Sequence, residues 1–149
     1  MDESELNKQL VDIKKFIGTF ASDELKSVKI CFYPTFLIIN LDERSGTGTH
    51  WIAMAIYQNN IYVCDPLGGI QPSATIPADF VNFLHLISEK RSLCLTRQLQ
   101  HSDSDTCGLY CVTFVREMAR LNCFSEFIRL FTSNLQQNDK LITFLNSRK

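Results

Sequence analysis

No apolar run in this chain approaches a bilayer span. The longest, "FLII" and "WIAMAIY", end within a few residues, whereas a membrane helix needs about 20. The opening "MDESELNKQL" has no basic n-region and no apolar core of the kind a secretory signal carries. Neither sign of charge is in excess: 15 basic residues against 16 acidic give a net charge of −1. A broad nucleic-acid footprint is therefore not expected, with only local basic patches at "REMAR" and "NSRK". Internal repeats, low-complexity tracts and linkers are also lacking. What remains is a single globular domain over residues 1–149, large enough to bury a core without covalent staples. Its 45% hydrophobic and 21% charged content exclude a disordered chain. The expectation is a protein that is not secreted, does not enter a membrane and stays within a cell or particle.

The six cysteines show no disulfide-framework spacing, so free thiols in a reducing compartment are expected. Cys31, Cys64, Cys94 and Cys123 lie in or beside apolar stretches and read as small buried hydrophobes. Cys107 and Cys111 stand four apart in "HSDSDTCGLYC". A closed zinc site wants four ligands, and no second CxxC or HxxxH supplies the other two, so no metal is assigned. A disulfide inside one helical turn would be strained. Cys111 reads as core, His85 and His101 as structural or solvated.

Apolar spacing of three to four predicts an amphipathic helix over residues 2–17, through Leu6, Leu10, Ile13, Phe16 and Ile17. "PTFLIINL" (34–41) reads as a buried strand, and "HWIAMAIY" (50–57) and "IYVCD" (61–65) as a hairpin turned at "QNN". A helix follows Pro77, a further strand covers 92–100, and a core helix runs from Cys107 to Leu121. Shorter helices are expected around 124–132 and 137–147. This order is that of an α+β domain.

On this map the reactive side chains converge. Cys107 falls at the N-terminus of the core helix, where unpaired amides and the helix dipole favour a thiolate and can hold an oxyanion. His50 begins one hairpin strand and Asp65 ends the other, so the two ends lie side by side and can share a hydrogen bond. A thiol, a base and an orienting acid make a Cys–His–Asp nucleophilic set. Gln100, seven residues before Cys107, offers a side-chain N–H to the same oxyanion site. Gly108 allows another backbone to come close. Singly, Cys107 would read as packing, His50 as a strand end and Asp65 before Pro66 as a turn residue. Three such residues at convergent element ends are much harder to assign to accident.

"GTGTHWIAMAI", "YVCDPLG" and "QHSDSDTCGLYC", in that order, with "FIGTFASDEL" and "TFLIIN" upstream, resemble the adenovirus maturation protease (adenain) family. Among its branches the chain looks most like proteases of the Maverick/Polinton and adintovirus group, with the SUMO-deconjugating proteases as cellular relatives. The resemblance implies a papain-like cysteine protease core, a central mixed sheet packed against the nucleophile-bearing helix. It implies His50 as general base, Asp65 as third triad member (Glu in adenain, Asp in the SUMO proteases), Gln100 as oxyanion-hole donor and Cys107 as nucleophile. Trp51, Gly48 and Gly108 would bind substrate. Cys94 is placed similarly to the cysteine that receives adenain's activating peptide, although its spacing to Gln100 is shorter. No cofactor is required by the sequence. The family also implies a viral activating peptide or DNA, and the near-neutral charge argues against the DNA. The implied function is a monomeric endopeptidase that cleaves capsid or core precursors at Gly-containing sites during particle maturation, in the virion and the infected-cell nucleus or cytoplasm. Two other readings stand beside it: an isopeptidase cutting after the Gly-Gly tail of ubiquitin or SUMO, and a catalytically inert virion structural or binding domain.

Overall fold

Strands β2 (Thr35–Asn40) and β3 (Trp51–Ile56) are buried at every position. Their unbroken apolar runs demand this, since such strands need cover on both faces of their sheet. The computed structural model describes residues 1–41, 50–68 and 76–147. It forms a five-stranded mixed sheet with β1 (Phe16–Ala21), β4 (Asn60–Cys64) and β5 (Ser92–Leu95), in the order β1-β2-β3-β4-β5. The outer pairs are parallel and the inner pairs antiparallel.

The pleat divides the apolar residues between two cores. Phe36, Ile38, Ala53, Ala55 and Cys64 pack with helix α3 (Cys107–Leu121), with Leu6 of α1 (Glu3–Gln9) and with Leu10, which caps α1. Leu37, Ile39, Ile52, Met54, Ile56, Ile61 and Val63 pack with Phe80, Phe83 and Ile87 of α2 (Ala78–Ser88). The small side chains of Ala53 and Ala55 let α3 lie close to the sheet centre. Two further helices, α4 (Phe124–Ile128) and α5 (Leu135–Ser147), close the α3 side. Phe127 meets Phe114 and Phe131 edge-on, with ring centroids 5.1 and 5.2 Å apart. The α+β class and mixed central sheet are as expected.

The N-terminal helix is shorter than expected. A capping box of Asp2 and Glu5 starts α1, but three tight i→i+3 turns end it: Leu10 N–H to Asn7 O, Ile13 to Leu10, and Phe16 to Ile13. Those turns preserve a spacing of three, so Leu10, Ile13 and Phe16 still face one core and mimic a helical stripe. Phe16 and Ile17 instead open the edge strand β1. Strand β5 stops at Leu95 rather than continuing to residue 100; beyond it the Thr96 amide reaches β4 once more at Val63 O, and the Leu99 and Gln100 amides turn to Pro66 O. Helix α4 is shorter than 124–132, and α5 begins slightly before 137. Cys64 and Cys111 are buried, but Cys31 is exposed and Cys94 and Cys123 are half-buried, contrary to expectation. Cys31 lies in irregular surface backbone between the 3₁₀ segment Ser22–Ser27 and β2, where its apolar neighbours do not form an element.

Gly68 closes the corner after β4, its amide donating to Asp65 O at 3.0 Å with φ of +101°. A Cβ there would stand 2.7 Å from Gln98 Cβ and 3.0 Å from its Cα. Gly68→Ala should therefore lower unfolding stability by roughly 2 kcal/mol or more through backbone strain and this clash. Urea denaturation measures it, and an unchanged midpoint would contradict the assignment.

Candidate active site

Asp65 follows β4 directly, and His50 precedes β3. The hairpin register from Ile56↔Ile61 to Ala53↔Cys64 brings the two ends together. His50 Nε2 and Asp65 Oδ1 are 3.0 Å apart. The same Oδ1 accepts the Leu67 amide at 3.1 Å. Asp65's own amide donates to Thr96 Oγ1 at 3.0 Å, and the Thr96 hydroxyl donates back to the Asp65 carbonyl at 2.9 Å. Asp65 is 2% exposed, so its carboxylate is held out of water by backbone and side chain together.

Cys107 is the first residue of α3 and is buried. No side chain caps this helix, and its first turn contains no acidic residue. The positive end of the dipole is therefore left unneutralised by the helix's own side chains. The Cys107 side chain interacts with the His50 ring. Burial of that ring opposes its positive charge, but the hydrogen bonds and charges of Asp65 and Cys107 outweigh it and raise the pKa from 6.5 to about 9. With Nε2 committed to Asp65, His50 Nδ1 is buried without a hydrogen bond of standard geometry. A loose contact of this kind is common before substrate arrives.

Gln100 is 1% exposed. Its amide, like that of Leu99, donates to Pro66 O at 2.9 Å, so the residue after the acid anchors the residue expected in the oxyanion site. Gln100 Nε2 donates to Ser104 O at 2.8 Å, which leaves its second hydrogen for another acceptor. The structure thus brings His50, Asp65 and Cys107 into one group and ties Gln100 to the corner beside them.

The residues expected to bind substrate are placed differently from one another. Trp51 is buried on the α3 side, its Nε1 donating to Met1 O at 3.0 Å. A Cβ on Gly108 would meet Met1 Cβ at 3.2 Å, Met1 Sδ at 3.4 Å and Leu6 Cδ2 at 3.5 Å, so the missing side chain at Gly108 makes room for the N-terminal segment. Gly48 lies outside the described residues. Cys94 sits on the edge strand β5, opposite Tyr62, away from the His50–Cys107 group. Sequence reasoning missed Thr96, which grips the Asp65 backbone; its one visible signal was a hydroxyl residue inside an alternating strand pattern. His85 is exposed on α2, and His101 Nδ1 accepts the Asp103 amide at 3.2 Å.

A family model for the adenovirus endoprotease matches residues 16–147. The chain belongs to the adenovirus endoprotease family. It is 31% identical to the protease of bovine adenovirus 4 over 150 residues, covering 84% of this chain and 65% of that protein. It thus spans slightly under two thirds of that relative's length. Among solved structures, the ASFV pS273R protease is similar with a TM-score of 0.56 at 14% identity, over 94% of this chain and 64% of that one. The SUMO protease Ulp1 is similar with a TM-score of 0.51 at 17% identity, over 97% of this chain and 78% of that one. At such identities these two structures speak to the fold alone, which is the cysteine protease core expected from the sequence.

With a folded-state pKa near 9 against 6.5 unfolded, His50 stabilises the fold fully below pH ~6.5, and this contribution is lost as pH rises through about 9. Titration of the imidazole by NMR should give a midpoint near 9, and Asp65→Asn should move it down by a unit or more. A midpoint that Asp65→Asn leaves in place would show that Asp65 does not set the charge of His50.

Proposed function

We propose that the chain is a cysteine endopeptidase that cleaves viral precursor proteins of capsid or core at Gly-containing sites, during maturation in the virion and infected cell. The observation that supports this reading best is the His50–Asp65 hydrogen bond of 3.0 Å on an imidazole whose pKa is also raised by Cys107. In the proposed reaction the Cys107 proton has already passed to His50 Nδ1 when substrate binds, and Asp65 stabilises the imidazolium. The sulfur attacks the scissile carbonyl carbon, and the electron pair of the C=O bond moves to oxygen. The Cys107 amide and the second Nε2 hydrogen of Gln100 donate to that oxygen. Collapse expels the amine, which takes the proton from His50. Water, deprotonated by His50, then hydrolyses the thioester and releases the Cys107 sulfur beside the reprotonated imidazole. Residues without bulk suit a cleft walled by α3 on one side and the β3–β4 hairpin ends on the other.

Cleavage of a peptide library by the purified chain tests this. Cys107→Ala and His50→Ala should each lower kcat/KM about a thousandfold or more, and Asp65→Asn by orders of magnitude through the wrong imidazole tautomer. Gln100→Ala should cost roughly 100-fold, as for loss of one oxyanion donor. Cut sites should carry glycine, and kcat/KM should fall as pH rises through about 9, where His50 loses its proton. Rapid labelling of Cys107 by a ubiquitin or SUMO vinyl sulfone, with no cutting of Gly-containing peptides, would favour the isopeptidase reading. No cutting and no labelling would leave an inert virion domain.

A further inference from the structure

The loop joining Gln100 to Cys107 has little core of its own: Ser102, Asp103 and Asp105 are exposed. Its shape is fixed from α5. Asp139 Oδ2 accepts the His101 amide at 3.2 Å. Its Oδ1 accepts the Thr106 hydroxyl at 3.2 Å and the Tyr110 hydroxyl at 2.8 Å. One carboxylate therefore ties the residue after Gln100 to the residue before Cys107. Because the Thr106 hydroxyl gives its hydrogen to Asp139, it accepts from Ser104 Oγ at 2.9 Å. The carbonyl of that same Ser104 is what holds Gln100 Nε2, at 2.8 Å. The neighbouring Asn138, buried, adds a second tie, its Nδ2 donating to Leu99 O at 3.1 Å and to Thr132 O at 2.8 Å.

We propose that Asp139 is a positioning residue for the oxyanion site, fixing the Gln100 side-chain amide and the Cys107 backbone amide relative to each other. The proposal rests on the protease reading above. An oxyanion hole works only if its donors are already in place when charge develops on the carbonyl oxygen, and small displacements of a donor cost rate directly. A carboxylate is suited to this place because it accepts from all three donors at once. An amide of the same shape would turn one acceptor into a donor facing other donors. The Tyr110 hydroxyl has one hydrogen and two acceptors in reach, Asp139 Oδ1 at 2.8 Å and Leu99 O at 3.2 Å. The shorter, charge-assisted bond takes it.

The test compares Asp139→Asn in two backgrounds, the wild type and Gln100→Ala, by peptide cleavage, iodoacetamide alkylation of Cys107 and thermal melting. In the wild type Asp139→Asn should lower kcat about tenfold or more while KM stays within about twofold, a loss confined to the transition state. Alkylation forms no oxyanion and should stay within about twofold of the wild-type rate. In Gln100→Ala the same substitution should cost less than about threefold more, since the donor it positions is already gone. An equal loss in both backgrounds, a loss of alkylation in step with kcat, or an unchanged kcat would overturn the proposal. Should Asp139→Asn melt below the assay temperature, Tyr110→Phe removes one of the three partners and should show the same cycle at about two- to fivefold. Failure of the protease reading looks different: Cys107→Ala would then cleave as fast as the wild type, or the wild type would cleave nothing, before any Asp139 variant is compared.

Discussion

The Asp65–Pro66 corner at the end of β4 is the constraint on which the site depends. A carboxylate this buried would cost several kcal/mol if left without donors. Here the Leu67 amide and His50 Nε2 supply them. The backbone of the same residue is clamped in both directions by the Thr96 hydroxyl. One residue on, Pro66 O receives the amides of Leu99 and Gln100. The acid that hydrogen-bonds the imidazole and the carbonyl that anchors Leu99 and Gln100 are thus consecutive in the chain. An error in the position of one would be passed to the other. Asp65 is for this reason both a folding residue and, in the proposed mechanism, an orienter, and an isosteric change separates the two roles better than a truncation does.

The third component reaches this corner by packing rather than by sequence proximity. Helix α3 lies on the face of β3 that carries Ala53 and Ala55, and it buries Tyr110, Cys111, Val112, Phe114, Val115 and Met118. Strand β3 begins immediately after His50, so the element that carries the imidazole is the element that seats the helix carrying the thiol. Sites held on packed helices and strands keep their geometry better than sites on loops. The aromatic contacts of Phe114 with Phe124 and Phe127 fasten the middle of α3 to α4. Asn122 ends the helix in the left-handed region at φ 51°, a conformation that Asn tolerates well.

The meeting of His50, Asp65 and Cys107 was legible because each sits at an element boundary that local signals mark: a hairpin with a short turn for His50 and Asp65, and a change from polar loop to apolar helix for Cys107. The core helix and the three central strands were legible for a related reason, since continuous burial leaves a continuous apolar record. The edge strand β1 was not. Leu10, Ile13 and Phe16 face one core through successive tight turns, and the resulting spacing of three is nearly that of a helix. Nor was the support of Gln100 legible. Thr96 holds the Asp65 backbone, and Asn138 and Asp139 each make several hydrogen bonds to groups remote in sequence, and such bonds leave no periodicity for a sequence to display. The exposure of Cys31 was hidden too, because an apolar neighbourhood in sequence says nothing of where an irregular segment runs.

Among the described residues, the buried side-chain polar atoms without a hydrogen bond are His50 Nδ1 and Gln100 Oε1. The Gln100 oxygen costs about 1–3 kcal/mol, whereas the His50 ring interacts with the Cys107 side chain, and both belong to the same group of residues. The Gln100 amide has no cheaper orientation. Turned over, it would set its oxygen against the Ser104 carbonyl and lose the bond at 2.8 Å. Its orphaned oxygen is the consequence of keeping the nitrogen on Ser104 O, where the proposed mechanism wants an oxyanion donor. The His50 case is parallel. Asp65 holds Nε2 and so commits the other nitrogen to the side where Cys107 lies, while the raised pKa keeps the ring charged at neutral pH. In the proposed mechanism the proton therefore rests on His50 before a substrate arrives. The ring's task in that mechanism is then chiefly to deliver that proton to the leaving amine, and the orphaned Gln100 oxygen is a local cost that the mechanism recovers in the transition state.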